Sequence, residues 1–212
     1  DNAKICAIQI IPQPATPTRT MTNTATRTVT QAVTPTRTMT TTMTATPVIK
    51  SIWRVNAGDG VYTDGVGNVW EADTNYSGGT TDEQAVGTPI AGTEDDVIYQ
   101  SERYDSNFTY TFNVPAGTYQ VTLKFAEIYS GITGAGQRVF SVRINGVDVL
   151  SNLDIYGEVG AYSADDKVFN NIQATGGQIT IEFISSVENA KINGIQIIPQ
   201  PATPTATRTR TM

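Results

Sequence analysis

The segment Gly117–Gly146, GTYQVTLKFAEIYSGITGAGQRVFSVRING, limits the possible folds more than any other part of the chain. Tyr119, Val121, Leu123 and Phe125 alternate with Gln120, Thr122, Lys124 and Ala126, the period-two pattern of a strand with one buried face. Phe140, Val142 and Ile144 repeat the pattern against Ser141 and Arg143. Asn145-Gly146 tolerates positive φ at both residues and predicts a tight hairpin turn at the far end. Between the strands, Glu127-Ile128-Tyr129 runs into Ser130–Gly136, a loop too glycine-rich to join a core. It is expected to leave Tyr129 beside a mobile rim, where a rigid strand pair presents an aromatic to a partner.

The rest of the chain supports an all-β reading. Strands are predicted at Ile52–Val55, Val69-Trp70, Val97–Ser101, Phe108–Val114, Val147–Leu150, Lys167–Gln173, Gln178–Ile184 and Lys191–Ile198. Thr74–Thr81 and Gly87–Asp96 read as loops, and no stretch has convincing helical periodicity. About ten short strands with turn signals between them point to a two-sheet antiparallel β-sandwich, jelly-roll-like in architecture. Its expected core includes Val121, Leu123, Phe125, Phe140, Val142, Ile181 and Phe183.

Residues 1–18, DNAKICAIQIIPQPATPT, recur at 188–205 as ENAKINGIQIIPQPATPT. Only Asp1/Glu188, Cys6/Asn193 and Ala7/Gly194 differ, and the polar tail is copied together with the apolar strand. Duplication this close is expected of a repeat array. Residues 1–11 then read as the last strand of a preceding repeat, 12–47 as a Thr/Pro-rich linker, 48–199 as the intact domain, and 200–212 as the start of the next linker. The linker composition cannot bury enough apolar surface to offset its ordering entropy, so an extended, O-glycosylated stalk is expected. At about 3.1 Å per residue it could reach on the order of 100 Å.

Composition excludes several functions. The net charge is −6 and the basic residues are dispersed, which argues against nucleic acid. No apolar run approaches the roughly 18–20 residues of a membrane span, so no membrane insertion is expected. There is one cysteine, Cys6, and no histidine, so neither a disulfide framework nor a Ser-His-Asp triad is available. A glycosidase needs two carboxylates about 5–9.5 Å apart. Glu127, Glu188, Asp95, Asp96, Asp165 and Asp166 are candidates, but the sequence pairs none of them. No enzyme activity, cofactor or metal is expected. Asp59, Asp64 and Asn68 could ligate calcium, although polar turn residues are the commoner explanation. Asn75-Tyr76-Ser77 and Asn107-Phe108-Thr109 fit the N-glycosylation sequon.

FAEIY, followed by GQRVFSVRINGVDVL, resembles the malectin domain, a carbohydrate-binding β-sandwich. VNAGDG, YTDGVGNVWEAD, VIYQSERY, LDIYGEVG and NAKINGIQII extend the resemblance from about residue 52 to 198, in the family's order. The resemblance implies a pocket with a tyrosine from Glu-Arg-Tyr, a tyrosine from Ala-Glu-Ile-Tyr and an acid from the loop before the last strand. Those residues are Tyr104, Tyr129 and Glu188. Where the family has an aromatic after the second tyrosine, this chain has Ser130, and no tyrosine lies between Gln84 and Pro89. Tyr76, in the neighbouring loop, is the candidate substitute. Arg103 and Glu127 are expected to form an ion pair that holds two strands in register.

The implied function is a non-catalytic, extracellular or cell-surface module that binds a glucose-type oligosaccharide within a tandem-repeat protein. The alternative is a structural subunit of a glycosylated extracellular filament. There, partners would be neighbouring repeats or copies of the chain, joined by strand augmentation.

Overall fold

A computed structural model describes residues 49–83 and 85–201. The expected preceding strand at 1–11, the linker at 12–47, Cys6 and the segment beyond 201 lie outside the described residues. Among the described residues fourteen strands follow in chain order, beginning with β1 (Trp53–Asn56), β2 (Tyr62–Thr63), β3 (Val69–Ala72), β4 (Tyr76–Ser77), β5 (Thr80–Asp82), β6 (Glu102–Asp105) and β7 (Asn107–Asn113). Then come β8 (Thr118–Phe125), β9 (Val139–Ile144), β10 (Val147–Leu153), β11 (Asp165–Gln173), β12 (Gln178–Val187), β13 (Ala190–Ile192) and β14 (Gly194–Gln200). A 3₁₀ turn occupies Asp96–Tyr99, and α1 (Ile155–Val159) is a single helical turn capped by Asp154, whose Oδ1 accepts from Gly157 N at 2.9 Å.

The expected sandwich is present. One sheet runs β11-β8-β14-β1-β3-β2, the other β10-β9-β12-β7-β4, and a small sheet β13-β6-β5 accompanies them. Alternation explains the core. Val121, Leu123 and Phe125 of β8 meet Phe140, Val142, Ile181 and Phe183 of the second sheet, and all seven are fully buried. Their burial supplies the main driving force, roughly 1.5–3 kcal/mol for each large apolar side chain. Among the described strands all pairings are antiparallel except β1–β3, where Val55 lies beside Glu71 in a parallel pair.

Three local expectations are corrected. Val97–Ser101 is not a strand: the 3₁₀ turn ends there, with Gln100 N donating to Val97 O at 3.3 Å. Ile98 and Tyr99 are adjacent and both buried, which a half-buried strand forbids and a tight turn allows. They join Trp70, Ile90 and Ile128 in a second, smaller core. Thr74–Thr81 is not all loop, because β4 lies within it and β5 begins there. Lys191–Ile198 is two strands, broken at Asn193, where the chain leaves the small sheet and enters the six-stranded one. No described helix is long and apolar enough to cross a membrane.

Candidate functional site

Strand directions gather the candidate residues at one end of the sandwich. Tyr129 follows the end of β8, Arg138 precedes the start of β9, and Glu188 follows the end of β12. Because β12 runs antiparallel to β9, Val187 sits opposite Val139, which brings Glu188 beside Arg138. On β6, Glu102 and Tyr104 share one face while Arg103 takes the other. The outcome is a cleft of about 390 Å³ lined by Asp82, Glu102, Tyr104, Tyr129, Arg138, Glu188 and Asn189.

Three of the four residues expected at the site meet there. Tyr104 is half-buried on β6, opposite Lys191 and Thr80. Tyr129 is 39% exposed. A Cβ at Gly131 would lie 2.5 Å from the Tyr129 ring, so the absence of a side chain there allows the ring to lie across the loop. The loop is not the expected loose rim: Ile132 is buried, Thr133 N donates to Gln137 Oε1 at 2.7 Å, and Gly136 N donates to Asp154 Oδ2 at 2.5 Å. Tyr76, the fourth, does not line the cleft. It stacks on the Arg103 guanidinium at 3.3 Å and meets Tyr110 edge-on at 6.3 Å.

Charge organises the cleft floor. The Arg138 guanidinium, almost fully buried, lies 2.8 Å from Glu127 Oε2 and 3.1 Å from Glu188 Oε2. It also donates to the Asn189 carbonyl at 2.8 Å, and its Cζ lies 6.0 Å from the Tyr129 ring centroid. Glu127 Oε1 accepts from Tyr129 N at 3.1 Å, so one ion pair positions both the tyrosine backbone and the second carboxylate. Glu188 has φ 56°, and its carboxylate accepts from the backbone and side chain of Asn189. Glu102 is neutralised by Lys191, a fully buried lysine that also donates to Ala126 O.

The expected Arg103–Glu127 pair does not form. Arg103 instead binds Asp73, with Nε 2.8 Å from Oδ2, and donates to the Gly78 and Gly79 carbonyls. Tyr110 Oη donates to Asp73 Oδ1 at 2.7 Å. Arg103 lies on the β6 face away from Glu102, so it serves the β4 side of the fold. The carboxylate needs of Glu127 are met by Arg138, which sequence reading alone does not single out. One signal was available: Arg138 has the parity of Phe140, Val142 and Ile144, so alternation turns it inward, where an arginine must find a carboxylate.

Asp64 serves a turn. Its Oδ1 accepts from Val66 N and Asn68 N, and its Oδ2 accepts from Asn68 Nδ2 and Trp70 Nε1. Burial works against its charge, but the bonds from Asn68 and Trp70 outweigh it and hold the pKa below the usual carboxylate value. Oxygens already facing four N–H donors are poorly placed for a cation. Among the described residues, no group of three or more acidic or cysteine side chains is arranged to hold a metal. A shallow groove of about 460 Å³ on the second sheet, lined by Ser77, Asn107, Thr109, Arg143, Glu182 and Ile184 among others, offers no exposed aromatic face. Its Phe108 and Phe183 point into the core. Of the sequon asparagines, Asn107 is exposed, while Asn75 Nδ2 is buried without a partner.

A family model described as the malectin domain matches residues 51–195. Malectin of Danio rerio is 32% identical over 166 residues, covering 69% of this chain and 57% of that protein. Among solved structures, a beta-glucuronidase of Bacteroides uniformis superposes with a TM-score of 0.62 at 26% identity, over 71% of this chain and 18% of that one. The ANXUR2 extracellular domain from Arabidopsis thaliana superposes at 0.63 with 22% identity, over 69% of this chain and 48% of that one, a likeness of fold alone. The chain spans less than two thirds of the length of the curated relatives it matches.

Proposed function

The chain belongs to the malectin family, and from that premise we propose that it is a carbohydrate-binding module without catalytic activity, centred on Tyr104, Tyr129 and Glu188. The observation that carries this reading is the convergence of those three residues, remote in sequence, on one cleft. A sugar offers flat patches of C–H and a dense set of hydroxyls. Tyrosine faces suit the first, while fixed carboxylate and amide groups suit the second. Engagement of Glu102 by Lys191 and of Glu188 by Arg138 supports a role for these carboxylates as oriented hydrogen-bond acceptors.

The ligand in this reading is a glucose-type oligosaccharide. Two stacking platforms at about 1 kcal/mol each imply weak binding, between about millimolar and tens of micromolar. In this reading the module is 48–199 of a tandem-repeat, extracellular or cell-surface protein, with 12–47 as a Thr/Pro-rich linker that carries O-glycans. What supports this is the duplicated segment and the linker composition. Repetition then adds avidity to weak sites. Retention of a carboxylate at Asp1, the counterpart of Glu188, fits a site kept in more than one repeat.

The filament reading rests on the same duplication. Strand augmentation is less favoured by one observation: the second copy forms β14, an interior strand between β8 and β1, not an edge. Calorimetric titration of the chain with glucose oligosaccharides tests the binding reading. Saturable heat is expected. No heat at several millimolar would count against it and leave the structural role.

A further inference from the structure

The slot that receives the last strand distinguishes between the two copies of its own sequence. Residues 188–200 and 1–13 differ at three positions only. Asp1 for Glu188 keeps the charge. The other two, Cys6 for Asn193 and Ala7 for Gly194, fall where the chain crosses from β13 to β14. Both residues at this crossing are buried.

Asn193 is fully buried, and its amide is used at both ends. Nδ2 donates to Tyr99 O at 3.0 Å and to Ser101 O at 2.7 Å, while Oδ1 accepts from Ala126 N at 2.9 Å. These bonds tie the 3₁₀ turn, the start of β6 and the end of β8 to one side chain. A cysteine in this place has one weak donor and a weak acceptor, so it cannot serve all three groups. Buried backbone groups that lose a partner bear the full desolvation penalty. Gly194 is constrained by space: a Cβ there would lie 2.7 Å from Ile98 Cγ2 and 3.4 Å from Trp70 Cζ3. Ile98 and Trp70 are themselves buried, and a methyl on a branched β-carbon cannot swing aside without moving its neighbours.

We propose that positions 193 and 194 make this slot selective for its own closing strand, so that it accepts 188–200 and excludes the copy at 1–13. The occupant turned away is the near-identical segment offered by the same chain, by a second copy or by an adjoining repeat. In a protein that repeats its closing strand, exchange of strands between modules is the natural assembly error. Two substitutions at the crossing suppress it while leaving the rest of the strand unchanged. The inference depends on the duplicated sequence and the slot geometry, and is independent of glycan binding.

The test uses the full chain in three forms. N193C/G194A gives the slot's own strand the features of the N-terminal copy, and its Tm is expected to fall by at least about 10 °C. Adding C6N/A7G to that variant places the fitting sequence at 1–13, and is expected to restore folding, as an exchanged oligomer on gel filtration with light scattering or as a rearranged monomer. The proposal is overturned if N193C/G194A melts within about 2 °C of wild type, or if C6N/A7G restores nothing. Should N193C/G194A fail to fold at all, the C6N/A7G rescue still decides.

Discussion

Arg138 holds the Glu188 carboxylate at 3.1 Å from below the cleft, through a guanidinium whose other edge is committed to buried Glu127. This makes the exposed acid of the site dependent on a residue that is itself almost fully buried. Arg138→Ala should destabilise the fold by about 3–5 kcal/mol, because Glu127 would be left as an uncompensated buried charge. Arg138→Lys should keep the charge and most of the stability but lose the planar fork that serves two acids, so glycan affinity should fall roughly tenfold. Thermal melts and titration of both variants check this.

Glu188 occupies a left-handed backbone conformation, φ 56°, that a long side chain adopts at a cost of about 1 kcal/mol or more. Glu188→Gly relieves that strain but removes the acceptor. Stability should stay level or rise by up to about 1 kcal/mol while carbohydrate binding is lost. A denaturant midpoint that falls would contradict the strain, and retained affinity would contradict the role of the carboxylate.

Tyr129 and Tyr76 are both exposed tyrosines, yet they should behave oppositely. Tyr129→Ala should weaken binding by about 1 kcal/mol, roughly fivefold, with little change in Tm. Tyr76→Ala should leave binding intact but uncover the Arg103 guanidinium stacked at 3.3 Å, lowering Tm by about 2–4 °C. Parallel titrations and melts separate the two roles.

Much of the fold was legible because alternation in β8, β9 and β12 fixes which side chains face inward, and those positions are the buried ones. Both tyrosines of the cleft, Tyr104 and Tyr129, and its acid Glu188 were pointed to by the family resemblance that short motifs carry. Less accessible were features set by tertiary placement. Nothing local states that Arg103 turns to Asp73 instead of Glu127, since that depends on which face of β6 each neighbour occupies. The buried Lys191–Glu102 pair lies in segments nearly 90 positions apart, and neither residue's spacing announces the other. The short strands β4 and β5 were masked by turn-forming residues, which propensity alone assigns to loop. Asn193-Gly194 falls between the alternating segments around Ile192 and Ile195, a break that marks the crossing only once both sheets are known.

Acid should expose the role of Asp64. Its folded pKa lies below the usual carboxylate value, so its contribution is complete above the unfolded pKa of about 3.9 and is lost as pH falls through the folded pKa. Asp64→Asn should therefore destabilise the domain at neutral pH, because an amide cannot accept from all four donors. The stability gap between variant and wild type should shrink once the pH drops below about 3.9. Urea titrations at several pH values measure that gap directly.

The most direct test of the carbohydrate-binding claim is an NMR titration of the chain with a glucose oligosaccharide, following assigned backbone amides. Saturable shift changes are expected at Tyr104, Tyr129, Glu188 and Asn189, with Tyr76 and Arg143 unaffected, and the changes should disappear in the Tyr104→Ala/Tyr129→Ala double variant. An unchanged spectrum at several millimolar sugar, or shifts confined to the outer groove around Thr109 and Glu182, would contradict the assignment of this cleft.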